Sequence, residues 1–220
     1  LNSCSSNPGW MNELPSIILI SPPTKKAGEI ELLIKFFETG LQRFHLRKPD
    51  SSEEELNEYL NQIPQQYLSR IVVHRAPQLL NKFPLAGYHH TSTESICDVQ
   101  GTCSRSLHKF SELKNLNENL DYVFFGPVYD SISKKGYSPK ISLNEIFAFF
   151  KSGRLNKFDN PPKVFALGGI RKKKIKRLSE VGFDGVALLG CIWGSRDPLK
   201  ALNEFLQMDI TFMLNKRDRA

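Results

Sequence analysis

The sequence has no long apolar stretch. Its tightest hydrophobic runs, Ile17–Ile20 and Ile146–Phe150, fall far short of the ~20 residues a helix needs to cross a bilayer. Cysteine is sparse as well: Cys4, Cys97, Cys103 and Cys191 form no Cys-x-x-Cys pair and no Cys/His metal spacing. This argues against a zinc knuckle and a disulfide scaffold, and for a reducing compartment. Leu1–Glu13 shows neither the basic segment nor the apolar core of a secretory signal, so the expected location is the cytoplasm. Disorder is excluded too, since 40% hydrophobic and 24% charged residues in a 220-residue chain suit one domain with a sizeable core.

What is in excess is positive charge, with 30 Lys and Arg against 23 Asp and Glu, a net +7. The cations are clustered locally. Lys172, Lys173, Lys174, Lys176 and Arg177 share one expected helix, and Lys216, Arg217 and Arg219 lie near the end. No aromatic-rich strand or helix-turn-helix pattern accompanies them, so they read as solvated faces, and no nucleic-acid or membrane partner is expected. The charge still favours small anionic substrates.

Short β-rich runs alternate with helical spacing over nearly the whole chain. The expected strands are Ser16–Ile20, Arg43–Arg47, Arg70–His74, Ala86–His89, Thr102–Ser106, Tyr122–Val128, Lys163–Leu167 and Gly185–Cys191. The helices between them are Ile30–Glu38, Glu53–Gln62, Ala76–Asn81, Phe110–Leu116, Leu143–Lys151, Lys172–Val181 and Pro198–Met208, with only a turn of helix available in Thr91–Ile96. Ser51 or Ser52 before Glu53–Glu55, Ser142 with Glu145, and Asp197 before Pro198 are expected caps. Gly40, Gly153 and Gly182 mark helix ends. Eight strand-helix units in this length predict a single α/β domain, a small (β/α)8 TIM barrel over residues 16–208, between an N-terminal extension (1–15) and a basic tail (209–220). A doubly wound open sheet is the alternative. Against it, the first strand is followed by Ser21-Pro22-Pro23-Thr24 and not by a glycine-rich dinucleotide loop.

In such a barrel the chemistry sits where strands end. The seventh strand runs into Gly168-Gly169, which is either an approach for a phosphate to backbone N–H groups or a tight turn; Gly190-Cys191 after the eighth strand is a second small-residue turn beside it. Arg47 and Lys48 end the second strand and suit a polyanion, or else pair with surface carboxylates. Gly126–Gly136 combines hydroxyls, cations and glycine in a loop that either closes over an anion or stays solvated. His108 follows the fifth strand, where an imidazole can take and return a proton near neutral pH. His74, His89 and His90 also end strands, but their spacing matches no local metal motif; metal binding would need convergence in space.

Taken in order, Arg47-Lys48, Ser106-Leu107-His108, Asp121-Tyr122 with Gly126-Pro127-Val128-Tyr129, Ser131-Ile132-Ser133-Lys134 and Gly168-Gly169-Ile170 resemble the thiamin phosphate synthase and TenI family, from about Ile18 to Met208. The resemblance implies a thiamin-biosynthesis enzyme built as one (β/α)8 barrel. It assigns Arg47, Lys48 and Lys134 to a pyrophosphate, Ser131 and Ser133 to a thiazole phosphate, Gly168 and Gly169 to backbone donors for that phosphate, and Ser106 to the diphosphate. The synthase pattern has Asn-Asp at the end of strand three, where this chain has His74-Arg75, and its second metal-binding Asp is matched at best by Glu94. That departure favours the sister activity: metal-independent tautomerisation of a carboxythiazole phosphate with His108 as acid and base and no cofactor. Thiamin phosphate synthase, joining hydroxymethylpyrimidine diphosphate to thiazole phosphate with Mg2+, is the alternative, and a non-catalytic barrel binding a thiamin precursor is the third reading. The expected partners are small phosphorylated substrates, with self-association into a homo-oligomer left open.

Overall fold

Residues 14–96, 99–130 and 141–208 are described in the computed structural model of the chain. The β-branched and aromatic runs form eight short strands: β1 Ile17–Ile20, β2 Phe44–Leu46, β3 Ile71–Val73, β4 Gly87–His90, β5 Thr102–Leu107, β6 Tyr122–Phe125, β7 Lys163–Leu167 and β8 Gly185–Leu188. All neighbours pair in parallel in sequence order, and β8 closes on β1 through Ile18 opposite Ala187. The register runs from His45 to Val72, Val72 to Gly87, His89 to Ser104 and Ser104 to Tyr122. The chain is therefore the expected (β/α)8 barrel, not an open sheet.

Because successive strand side chains face opposite ways, the closed sheet has two cores. Leu19, Phe44, Val73, Val123 and Val186 face outward and pack with Leu33, Phe36, Ile146, Leu178 and Leu202 of α1 Glu29–Glu38, α5 Leu143–Lys151, α6 Ile175–Val181 and α8 Pro198–Leu206. Each such side chain contributes ~1.5–3 kcal/mol by burial. Inside the barrel, Ile18, Ile20, Tyr122, Phe124, Phe165 and Ala187 form a second cluster. The lumen is lopsided: on β1 and β6 to β8 it is largely apolar, whereas β2 to β5 turn His45, His74, His89 and Ser104 into it. Polar residues inside a barrel need partners, and supplying them creates the site.

Helix starts follow the sequence. Ser52 Oγ accepts from the Glu55 N–H at 3.2 Å while the Glu55 carboxylate accepts from the Ser52 N–H, at the start of α2 Glu53–Asn61. Ser142 and Glu145 do the same for α5, and Asp197 accepts from the Lys200 N–H at 2.9 Å ahead of Pro198. Several boundaries move. Strand six ends at Phe125, short of Val128, since Pro127 after the cis Gly126–Pro127 bond has no N–H for the ladder. Strand eight ends at Leu188 because the Leu189 carbonyl accepts from Ile192 and Trp193, coiling Gly190–Trp193 into the short α7. The helix expected at Lys172–Val181 begins as a 3-10 turn, Lys172–Lys174, and Pro77–Asn81 is wholly 3-10. Thr91–Ile96 forms no helix, while Gln65–Leu68 (α3) and the 3-10 turn Arg154–Lys157 were not foreseen. Phe110–Lys114 is α4. The basic run is a solvated face: Lys172 meets Glu204 at 3.1 Å and Arg177 meets Glu180 at 3.7 Å, all exposed. Among the described residues, no helix is long and apolar enough to cross a membrane.

Candidate active site

Parallel pairing brings the C-terminal ends of all eight strands to one rim. On the β2 to β5 side of that rim lies a cavity of about 550 Å3, lined by Arg47, His74, Arg75, His89, Ser106 and His108 among others, a size suited to a small ligand.

Its floor is a histidine cluster. His45 Nδ1 lies 2.8 Å from His74 Nε2, and His45 Nε2 lies 2.7 Å from the Tyr122 hydroxyl. His89 sits between two serines, with Nδ1 2.8 Å from Ser104 Oγ and Nε2 2.9 Å from Ser106 Oγ. The His74 and His89 rings stack with centroids 4.2 Å apart. Burial pushes the pKa of all three imidazoles well below the ordinary value, and neighbouring charge adds to the effect, from His89 on His45, from His45 on His74 and from His74 on His89. They are neutral at pH 7. Burial also raises the Tyr122 phenol to about 12, keeping it protonated.

His108 is different: exposed on the rim, it anchors Nδ1 3.0 Å from the Gly126 carbonyl. A carbonyl only accepts, so Nδ1 carries the proton and Nε2 is the basic nitrogen. Its own N–H donates to Glu112 at 2.7 Å. The Gly126 carbonyl is in turn placed by the strands on either side, β5 and β7. Gly126 N–H donates to Leu107 and Val128 N–H to Leu167, and Pro127 rests on Gly168, where a Cβ would come within 2.7 Å of Pro127 Cβ. Gly169, at φ +64, has the same relation to Tyr129 and Asp130. The double glycine thus seats the β6 loop that holds His108. Gly168, Gly169 and Gly190 share the rim with the cavity but lie outside its lining.

Arg47 and Lys48 separate. Arg47 is exposed at the cavity, its backbone fixed by Ser21 Oγ, which accepts from the Arg47 N–H at 2.8 Å and donates to its carbonyl at 2.9 Å. Among the described residues the Arg47 guanidinium has no hydrogen-bond partner. Lys48 is a correction to the polyanion assignment. Its ammonium is buried against Glu29 at 2.7 and 2.8 Å and donates to the carbonyls of Pro22 and Thr24, leaving no proton for a ligand. Tyr59 donates to the same carboxylate at 2.9 Å. Burial lowers the Lys48 pKa and Glu29 opposes the shift.

The described lining of the cavity does not fit Mg2+, which takes oxygen ligands, mostly carboxylates and water. Among the described lining residues the sole carboxylate is Glu94, and its oxygens already accept from Tyr88 Oη at 3.0 Å and the Thr91 N–H at 3.1 Å. Beside it, Arg75 donates to the Pro49 carbonyl and adds a positive charge at the end of β3. Ser131, Ser133 and Lys134 lie outside the described residues. Sequence reasoning missed His45 and Tyr122; strand parity was the signal, since His45 shares a face with Arg47.

A family model described as thiamine monophosphate synthase (TMP-TENI) matches residues 17–192. The thiamine-phosphate synthase of Flavobacterium johnsoniae is 24% identical over 187 residues, covering 79% of this chain and 87% of that protein. That of Prochlorococcus marinus is 34% identical over 102 residues, which is 46% of this chain and 27% of that longer protein. Among solved structures, the thiamine phosphate pyrophosphorylase of Bacteroides thetaiotaomicron aligns with a TM-score of 0.73 and 28% identity, covering 89% of this chain and 97% of that one.

Proposed function

The chain belongs to the thiamine monophosphate synthase family, and we propose that within it the protein is a thiazole tautomerase that aromatises a carboxythiazole phosphate without a metal. The observation that carries this reading is the His108 imidazole, held at Nδ1 by the Gly126 carbonyl with Nε2 left basic, beside a cavity whose described lining offers Glu94 as its sole carboxylate. In the proposed reaction Nε2 removes the proton from the ring carbon bearing the carboxylate, and the electron pair moves through the ring. The imidazolium then returns the proton to the exocyclic carbon, so the ring becomes aromatic with no atom gained or lost. Holding substrate and imidazole together makes the transfer intramolecular. Arg47, whose guanidinium has no hydrogen-bond partner among the described residues, meets the phosphate or the carboxylate. Ser106, oriented by His89 at 2.9 Å, offers a hydroxyl to the same anion.

The names of the relatives favour a second reading, thiamin phosphate synthase, in which Arg47 and Ser106 would face the pyrimidine diphosphate. One paired assay separates the two. Chelator-resistant aromatisation that is lost in His108→Asn supports the tautomerase. Mg2+-dependent formation of thiamin phosphate replaces it with the synthase, and ligand binding without either turnover leaves a binding barrel.

A further inference from the structure

The histidine floor has a property that proton transfer at His108 does not use. His45, His74 and His89 come from three neighbouring strands, and one ring nitrogen of each can be chosen so that all three lie within 4.8 Å of one another. An imidazole set bound at ~2.05 Å around a tetrahedral ion has its nitrogens ~3.3 Å apart. His45 Nδ1 and His74 Nε2, now 2.8 Å apart, need to open by only about 0.5 Å to reach that spacing.

We propose that His45, His74 and His89 form a binding site for a borderline transition-metal dication of the Zn2+ class, with three imidazole ligands and a fourth position open toward the rim cavity. Three features support it. The cluster supplies nitrogen and no carboxylate, the donor preference of Zn2+ and its neighbours and not of Mg2+. Two of the three ring nitrogens left over are already held, which fixes imidazole orientation as metal ligands require: with His45 ligating through Nδ1, Nε2–H donates to the Tyr122 oxygen at 2.7 Å, and with His89 ligating through Nε2, Nδ1–H donates to Ser104 at 2.8 Å. Finally, His74 and His89 both line the cavity, so an ion has a path in and a fourth ligand can enter from the rim. That ligand is water or an anion, because Arg47 and Arg75 border the cavity. The ligand set does not include His108, although ligation through His89 Nε2 releases the Ser106 hydroxyl that this nitrogen holds at 2.9 Å.

The test is titration of the full, metal-stripped chain with Co2+ and then Zn2+. The expected result is one equivalent of Co2+ giving the intense visible absorption of a tetrahedral ion, displaced by Zn2+, with affinity reduced by roughly 100-fold or more in His74→Ala and His89→Ala. Imidazole 15N resonances of the wild-type chain provide a readout free of folding effects, since the three histidines alone should shift on adding Zn2+. Absence of a stoichiometric tetrahedral band, or Zn2+ shifts confined to His90 or His108, would overturn the proposal.

Discussion

Replacing Gly168 by alanine tests how the glycine turn builds the site. Gly168 has φ +92, and an added Cβ would lie 2.7 Å from Pro127 Cβ and 2.8 Å from Pro127 Cα, inside the range where something must shift. Gly40 is the internal control, with φ +107 and nothing within 4 Å of the same added atom. Both substitutions impose a left-handed backbone on a residue with a Cβ, at ~1–2 kcal/mol. Only Gly168→Ala adds an overpacking term of ~1–3 kcal/mol. The expected losses in urea denaturation are therefore ~1–2 kcal/mol for Gly40→Ala and ~2–5 kcal/mol for Gly168→Ala. The larger loss has a local consequence, because the displaced Pro127 follows the residue whose carbonyl holds His108. Turnover should drop in Gly168→Ala and stay unchanged in Gly40→Ala. Equal stability losses together with unchanged turnover in both variants would refute the seating of the β6 loop on Gly168.

Three further outcomes are expected. Lys48→Met leaves the Glu29 carboxylate buried beside Tyr59 without its cation and should cost ~3–5 kcal/mol, with partial recovery in the double variant carrying Glu29→Gln; a loss below ~1 kcal/mol by denaturant titration would show that the pair is not a structural anchor. His45, His74 and His89 have folded pKa values below their unfolded ~6.5. Their contribution is therefore fully present above pH ~6.5 and is lost as pH falls through that value toward the folded ones. Stability should decline with a limiting slope of ~1.4 kcal/mol per pH unit for each histidine, and a flat profile between pH 7.5 and 5.5 would contradict their neutral state. Arg47→Gln should raise KM for a phosphorylated substrate by ~10-fold or more with its fold unchanged, whereas an unchanged KM would place the anion elsewhere on the rim.

The barrel was legible because its causes are local. Eight short β-rich runs, each followed by helical spacing, leave parallel closure as the economical arrangement, and the Ser52, Ser142 and Asp197 caps are formed by side chains a few residues from the N–H groups they satisfy. The rim location of Arg47, Ser106 and His108 followed from the fold. What was misread came from contacts between distant strands. Adjacent Arg47 and Lys48 suited either a polyanion or carboxylate partners, and the chain just beyond β2 turns the two side chains apart. With Arg47 toward the mouth, Lys48 turns into the helix layer, where Glu29 and Tyr59 occupy it. Strand parity places His45 inside the lumen, yet nothing near it in sequence announces His74, His89 or Tyr122 as neighbours. Gly168 and Gly169 were left open between a phosphate approach and a tight turn; an added Cβ on them would meet Pro127, Tyr129 and Asp130, a constraint set by the loop after β6, about forty residues upstream, which no local pattern announces.

The account depends on proton transfer by His108, and the most direct measurement is aromatisation of carboxythiazole phosphate in D2O with chelator present, for the wild-type chain and His108→Asn. The expected result is turnover by the wild type with solvent deuterium appearing at the exocyclic carbon, slowed by ~10²–10⁴-fold in the variant. A wild-type chain that leaves this substrate untouched yet makes thiamin phosphate when Mg2+ is supplied would contradict it.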